Sequence, residues 1–429
     1  MKSSANRSNF YFILITSLLL VINSCGGGGG GGGTPSGPEP SPTLSFSSSS
    51  SSVILGSVIT LSWSSSNTPS CTASGAWSGS KTTSGNEDVT ISNPGNNVFS
   101  LSCSGAGGSK SASVTVEGYR ETMGISVDGY IRGADIFIDT NNNFQSDTSE
   151  NSTTSDNQGQ FTIKYDDGTL VSLNGYDLDT NNILTNFLIT HKMNGFTDFK
   201  VISPVTSIAS FITDSSLINT YLGIDNSIDV FTFDPVANKS TSAINDFLYQ
   251  KGNQLTVLTY SIQNAINSIN SSNETTQDYF QATAEEIEIE YNQTQEVVKI
   301  ESLAFIEKVL DNILLAKSVT LTTEIKSNIS TALANLLPVL KVYSEDNISN
   351  AVFNFSTTTF QNDLPTIASG TASSDLINSY TNDIYNYIAN DQNIDVDKIT
   401  PNQAPIINTD LSALSIDENE LSVGTISAS

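Results

Sequence analysis

The sequence predicts a multidomain fold in which β-sandwich modules are followed by an α-helical domain. Its 429 residues exceed what one hydrophobic core organises, so several domains are expected. From Thr43 onward, short runs alternate apolar and polar residues between Gly, Asn and Pro turns, which is typical of antiparallel sandwiches. From Ser203 onward, apolar residues recur every three or four positions, which predicts helices.

Residues 1–24 have the order of charges and apolar residues that is typical of a signal peptide. Lys2 and Arg7 precede an apolar run, residues 10–22, that is short for a membrane span. The Ile-Asn-Ser-Cys that ends at Cys25 resembles the lipobox of bacterial lipoproteins. This resemblance implies that Cys25 is lipidated and begins the mature chain. The alternative is a plain secretory signal in which Cys25 is incidental.

Residues 25–43 form a Gly/Pro/Ser-rich segment, and an unbroken glycine run of this kind suits a tether between an anchor and folded domains. A glycine after the cysteine, rather than an aspartate, resembles lipoproteins sorted to the outer membrane. We therefore expect a surface-exposed outer-membrane lipoprotein that contacts the membrane through its lipid. Cys71 and Cys103 then remain as a pair in an oxidising compartment, and a disulfide bridging across the core is expected.

The composition argues against nucleic-acid partners and against an enzyme. There are 44 acidic and 17 basic residues, and the net charge of −27 repels nucleic acid and favours cations. The single histidine, His191, has no nearby cysteine and no metal-binding spacing, and no nucleophile-elbow, P-loop or dinucleotide motif occurs. We therefore predict that the chain is not an enzyme.

Residues 44–117 are predicted to form the first sandwich module. Trp63 lies two positions after Leu61, on the face of its strand that is predicted to point inward. The stretches TLSW, SCTASGAWSG and FSLSCSGAGG resemble bacterial immunoglobulin-like domains. The resemblance implies a domain used for binding or spacing, with any chemistry confined to its loops.

Residues 118–200 are predicted to form a second sandwich. The pattern GYIRGADIFIDTNNN, followed by TTSDNQGQFTI, resembles small β-sandwich repeats of bacterial surface proteins, which are related to the carboxypeptidase regulatory-domain fold. In those repeats a loop between the first strands commonly holds calcium. The resemblance therefore implies a calcium loop at the corresponding position.

That position is the stretch DTNNNFQSDTSE, residues 139–150. In a twelve-residue EF-hand frame, positions 1, 3, 5, 9 and 12 are Asp139, Asn141, Asn143, Asp147 and Glu150, and Gln145 at position 7 offers its backbone carbonyl. Phe144 replaces the usual glycine at position 6, so a strained turn and a weak calcium affinity, about 10⁻⁴–10⁻³ M, are expected. The alternative is a solvated Asn/Asp turn. Asp177, Asp179 and Asn181 lack an acid at position 12 and are interpreted as turn residues.

Residues 201–399 predict a helical domain of roughly four to six helices. Ser203 and Pro204 form an N-cap and first-turn pair. The tyrosines at positions 380, 385 and 387 form a stripe, for which core packing is favoured over a ligand platform.

Residues 400–429 change character again. The stretches NQAP and SIDENELSVGTISA resemble the opening of a cadherin-type repeat, which implies that Glu418 is one ligand of an interdomain calcium site. A sandwich that stops at Ser429 is incomplete, so further cadherin-like modules are expected. The sequence therefore favours calcium-dependent adhesion or surface scaffolding with an extracellular protein or carbohydrate ligand. The alternative is a carbohydrate-binding or appendage portion of a surface polysaccharide-degrading enzyme.

Overall fold

The computed structural model of the chain describes residues 37–237, 243–270, 274–341, 355–356 and 359–377. The predictions for the signal peptide, Cys25, the tyrosine stripe and Glu418 lie outside the described residues. Within them, a β-rich half with several sheets precedes a helical half, which confirms the predicted order and is compatible with sandwich modules.

The described chain divides into two compact units. The first contains residues 37–49, 60–88 and 98–115. The second contains residues 50–59, 89–97 and the described residues from 116 onward.

The first eight strands form two sheets. They are β1 Thr43–Ser48, β2 Ser52–Ile54, β3 Val58–Ser66, β4 Ser70–Gly75, β5 Gly79–Lys81, β6 Ser84–Thr90, β7 Gly95–Gly105 and β8 Gly108–Tyr119. One sheet has the order β1-β3-β6 and the other the order β2-β8-β7-β4-β5. Along β3 and β7 buried residues alternate with more exposed ones, as the period-two pattern of the sequence predicts.

The core of the first unit is built around Trp77. Its ring stacks on Phe46 of β1 at 5.5 Å and meets Trp63 of β3 and Phe99 of β7 edge-on at 5.5 and 6.4 Å. The inward position predicted for Trp63 is confirmed, because this side chain is buried. Aromatic rings from both sheets therefore pack together in this unit.

The predicted disulfide between Cys71 and Cys103 is formed. The expected bridge across the core is wrong, however, because the two cysteines lie directly opposite each other on the neighbouring strands β4 and β7. Their Cα atoms are 4.1 Å apart, close to the spacing of a pair that exchanges no backbone hydrogen bonds. The bridge therefore links two neighbouring strands within one sheet and does not connect the two sheets.

Eight more strands follow in the second unit. They are β9 Glu121–Ser126, β10 Ile131–Arg132, β11 Asp135–Asp139, β12 Ser152–Thr154, β13 Gln160–Lys164, β14 Thr169–Asp177, β15 Asn182–Lys192 and β16 Phe199–Ile202. One sheet has the order β10-β14-β11-β12, with β15 paired to β14, and the other the order β13-β9-β16. Strand β16 runs parallel to β9, whereas β13 is antiparallel to it.

The helices are α1 Pro204–Phe211, α2 Ile218–Leu222, α3 Ala243–Asn270, α4 Gln277–Thr294, α5 Leu303–Ala316, α6 Thr323–Leu336 and α7 Thr359–Ala368. Helix α1 begins as predicted, since Pro204 opens it and the Ser203 hydroxyl accepts a hydrogen bond from the Thr206 N–H. None of the helices in these ranges combines the length and the apolar character that a membrane span needs.

One buried apolar cluster joins the strands and helices of the second unit. It runs from Ile131 in β10 to Ile377 and includes Phe187 of β15, Phe280 of α4 and Leu333 of α6. Helix α1 packs on β15, so the sheet and the helices share this core. A segment restricted to residues 118–200 would therefore expose apolar surface that the helices cover in the full chain.

Candidate functional site

The predicted calcium loop connects two paired strands of the second unit. Asp139 is the last residue of β11 and is fully buried, and β12 begins at Ser152. Strand β11 is hydrogen-bonded to β12 on one side and to β14 on the other. The sheet therefore fixes both ends of the loop.

The carboxylate of Asp139 gathers the first half of the loop. Its Oδ1 accepts hydrogen bonds from the N–H groups of Asn141 at 3.1 Å, Asn142 at 2.7 Å and Asn143 at 3.3 Å. Its Oδ2 accepts one from the Phe144 N–H at 2.8 Å. Bonds from backbone N–H groups to a carboxylate are among the stronger hydrogen bonds, so they wind the chain tightly around position 1.

The two asparagines continue the turn. Asn141 Oδ1 accepts from the Asn143 N–H at 3.0 Å, and Asn143 Oδ1 accepts from the Gln145 N–H at 2.7 Å. These are successive Asx turns. The amide nitrogens of both side chains donate to Asp147 Oδ2, at 2.7 and 2.9 Å. Positions 3, 5 and 9 of the frame are thereby brought together.

Glu150 at position 12 fastens the end of the loop to its start. Its Oε1 accepts from the N–H of Thr140 at 2.8 Å and from the Thr140 hydroxyl at 3.2 Å, and its Oε2 accepts from the Asp147 N–H at 3.3 Å. The side chain is largely buried. The structure therefore collects all the predicted side chains of residues 139–150 in one closed loop.

Phe144 adopts the backbone conformation that was expected to strain the turn. Its φ is +55°, in the left-handed region where a non-glycine residue costs about 1–2 kcal/mol. Its side chain packs against Phe137, Val171 and Leu188, and its ring lies 5.8 Å from that of Phe211 in α1. This packing offsets the strain. A glycine at this position would gain backbone freedom and lose these contacts.

The donor set fits calcium in type, because three carboxylates and two amide carbonyls are hard oxygen ligands. In this arrangement, however, the carboxylates are engaged by donors of the loop itself, and no three acidic, histidine or cysteine side chains of the described residues form a metal-binding group. Asn141 and Asn143 turn their amide nitrogens, not their oxygens, toward Asp147. Calcium binding therefore requires these two amides to turn and present their oxygens.

Replacing Asp139 by alanine is expected to lower the free energy of unfolding by about 3 kcal/mol, because several backbone N–H groups lose a charged acceptor. Denaturant unfolding in the presence of a chelator measures this loss without any contribution from calcium. Asp135→Ala is the control, since Asp135 is an exposed residue of the same strand. A loss below about 1 kcal/mol for Asp139→Ala would show that the carboxylate does not organise the loop.

A second acidic group was not predicted from the sequence. Asp177 and Asp179 form a turn as predicted, because Asp177 Oδ1 accepts from the Asp179 N–H at 2.8 Å and Oδ2 from the Thr180 hydroxyl at 2.7 Å. The same turn also lies beside Asp128, which is buried and accepts a hydrogen bond from Thr256 of α3 at 2.7 Å. No spacing in the sequence signals this group, since Asp128 and Thr256 are 128 positions apart.

His191 has a structural setting. It is buried in β15, its Nδ1 lies 2.7 Å from the Val201 carbonyl oxygen, and its ring meets Phe231 edge-on at 5.2 Å. Burial lowers the pKa of His191 to about 4, so the imidazole is neutral at physiological pH. The ring therefore packs as part of the sheet.

Comparison with protein-family models finds no match to this chain, and a search of curated protein sequences also finds none.

Proposed function

We propose that this chain is a calcium-binding, lipid-anchored surface protein of a bacterial envelope that acts in adhesion or as a surface scaffold. The observation that carries the proposal is the closed loop 139–150, in which the side chains of an EF-hand-type frame are held together at one sheet edge. The signal peptide and Cys25 would place this loop outside the cytoplasm. A weak site suffices there, because extracellular calcium modules operate at about 10⁻⁴–10⁻³ M.

The proposed calcium ligands are the side chains of Asp139, Asn141, Asn143, Asp147 and Glu150 and the backbone carbonyl of Gln145. The net charge of −27 supports a cationic ligand, because the field of the protein raises the local concentration of cations. The immunoglobulin-like and carboxypeptidase-regulatory-like classes of the strand regions belong to the same proposal. The proposal also includes the cadherin-like repeat at residues 400–429, in which Glu418 would be a calcium ligand.

Calcium would act here by stiffening the loop and what the loop touches. Phe144 links the loop to Phe211 at the end of α1, and α1 packs on β15. An ion that fixes positions 1, 3, 5, 9 and 12 would therefore also restrain the contact between the loop and this helix. Rigid modules hold a ligand-binding surface at a defined distance from the membrane, which is what an adhesin or scaffold requires.

Millimolar calcium is expected to raise the free energy of unfolding of the second unit by about 0.4–1.4 kcal/mol, from RT ln(1 + [Ca]/Kd) with the affinity expected above. Glu150→Gln should abolish this increase, because the expected bidentate ligand loses its charge. Thermal melting of the full chain with calcium and with chelator measures the stabilisation of the wild type and its loss in Glu150→Gln. The full chain is required because its sheet and helices share one core.

Asp135→Asn is the matched control, since it removes one negative charge from an exposed position outside the loop and should leave the calcium response unchanged. If the wild-type midpoint is the same in calcium and in chelator, or if Glu150→Gln responds like the wild type, DTNNNFQSDTSE is a polar turn and the calcium proposal fails.

A second function, carbohydrate binding, is supported by a different surface. An open cleft is lined by Arg132, Asp156, Asn157, Tyr176 and Ile183 among other residues. The Arg132 guanidinium lies 4.1 Å from the centre of the Tyr176 ring, and Ile183 is 77% exposed. Polar groups beside an aromatic ring suit sugar hydroxyls and sugar faces. Binding to immobilised polysaccharides that persists in chelator would favour this function over calcium-dependent adhesion.

A further inference from the structure

Two buried oxygen atoms without a hydrogen-bond partner belong to residues that line the same small cavity. They are Asp128 Oδ2, whose residue is 4% exposed, and Asn253 Oδ1, whose residue is 5% exposed. The centre of a water-sized sphere can occupy about 10 Å³ of this cavity, so one water molecule fits there. Both oxygens are acceptors, and a buried acceptor without a donor costs about 1–3 kcal/mol. The two oxygens therefore need a hydrogen-bond donor in this cavity.

Asp128 is surrounded by other acids. The Asp128–Gly129 peptide passes so close to the β14–β15 turn that a Cβ on Gly129 would meet Asp177 Oδ1 at 2.4 Å and Asp179 Cγ at 2.7 Å. Only glycine fits this approach. The strongest electrostatic neighbours of Asp128 are the carboxylates of Asp177 and Asp179, and both repel a negative charge on it.

The helix that covers Asp128 supplies neutral groups. From α3, Thr256 donates its hydroxyl to Asp128 Oδ1 at 2.7 Å, and Tyr249 donates to Asp179 Oδ2 at 2.6 Å. The Nζ of Lys251 on the same helix lies 5.6 Å from the centre of the Phe247 ring.

On the strand side, Tyr130 donates to Asp234 Oδ2 at 3.1 Å. Among the described residues, the titratable groups that face Asp128 or its immediate neighbours are thus the carboxyls of Asp177, Asp179 and Asp234 and the phenols of Tyr130 and Tyr249. None of them brings a positive charge to offset an ionised Asp128.

We propose that Asp128 is a proton-binding site whose neutral carboxylic acid donates from Oδ2 into the cavity, to Asn253 Oδ1 directly or through one water molecule. A single proton gives both orphaned oxygens a partner and removes one of three crowded negative charges. Burial raises the pKa of Asp128 well above its usual range, and repulsion from Asp177 adds to this. Burial also raises the pKa of Asp177 to about 6.

The proton ties α3 to the sheet, because Asp128 follows β9 whereas Thr256 and Asn253 belong to α3. The pKa of Asp128 is higher in the folded than in the unfolded chain. Its contribution to stability is therefore complete below the unfolded pKa, about 3.9, and is lost as pH rises through the folded pKa. Acidification of the surroundings would strengthen the contact between α3 and the sheet, and alkalisation would weaken it.

Asp128→Asn tests this inference, because the amide keeps a donor at the δ2 position and cannot ionise. Above pH 4 the folding equilibrium constant of the wild-type full chain should fall about tenfold per pH unit relative to Asp128→Asn, until the folded pKa is reached. Denaturant unfolding between pH 4 and pH 9 measures the ratio of the two folding equilibrium constants. Asp135→Asn, an exposed control, should keep the wild-type slope. A protonated-carboxyl infrared band should be present at neutral pH and absent in Asp128→Asn.

Parallel pH curves for the wild type and Asp128→Asn, or the same infrared band in both, would overturn the proposal. So would stabilisation of the wild type, but not of Asp128→Asn, by sodium or calcium alone, since a cation and not a proton would then occupy the site. If Asp128→Asn does not fold, Thr256→Val decides. This variant lacks the hydroxyl that favours the ionised form of Asp128, so the fall in the folding equilibrium constant should extend to higher pH. A pH curve that matches the wild type contradicts the proposal.

Discussion

A Cys25→Ala precursor is expected to incorporate no lipid and to leave the membrane fraction completely. In a lipoprotein the sulfur atom of this cysteine receives the lipid, and alanine has no sulfur to take its place. Only Asn23 and Ser24 separate the cysteine from the apolar run 10–22, so it lies where cleavage of a signal peptide falls. Labelling with radioactive palmitate, followed by fractionation of cells, measures both effects.

Ser24→Ala is the matched control for this prediction. It replaces the neighbouring residue with another small one and keeps the thiol, so lipid labelling and membrane retention should persist. If the wild-type chain and Cys25→Ala are both found soluble in the medium, the alternative of a plain secretory signal is correct and the anchor in the proposed function is lost.

The elements of the fold were predictable where the pattern is local. Alternation along β3 and β7 and three-to-four spacing along α5 follow from the period of each element, and both are visible in the burial of their side chains. The start of α1 was predictable because both signals are local: the Ser203 hydroxyl accepts a hydrogen bond from a first-turn N–H, and Pro204 has no N–H that needs an acceptor.

Pairing between distant segments was not predictable from these patterns. Strand β16 lies parallel to β9, and the cysteines face each other within one sheet instead of between sheets. Register of this kind depends on which apolar faces meet after the chain has turned back several times. The continuous core of the second unit has the same origin, since it joins β10 to side chains as far along as Ile377.

The candidate sites divide in the same way. The loop 139–150 was predictable because its ligand frame and most of its hydrogen bonds lie within twelve residues. The contacts that hold Phe144 at positive φ could not be predicted, because Phe211 and Leu188 reach its side chain from other elements. Asp128 and Asn253 carry no local signal at all, since only the packing of α3 on the sheet brings them to one cavity.

Removal of the Cys71–Cys103 disulfide is expected to lower the free energy of unfolding of the first unit by about 3–4 kcal/mol. The cysteines are separated by 32 positions, and releasing a loop of this length restores about that much conformational entropy to the unfolded chain. Both side chains are buried, so alanines would also lose packing in the core of this unit. The small size of this unit leaves little stability in reserve.

Tryptophan fluorescence during denaturant unfolding isolates this effect, because the sequence has two tryptophans and both, Trp63 and Trp77, lie in the first unit. The double variant Cys71→Ala/Cys103→Ala should shift the fluorescence transition to lower denaturant. The matched control is Ser70→Ala/Ser104→Ala, a pair opposite each other on the same two strands and exposed to solvent, which should change stability by less than about 1 kcal/mol. Equal transitions for the cysteine variant and the wild type would show that the sheet and its aromatic core hold this unit without the covalent link.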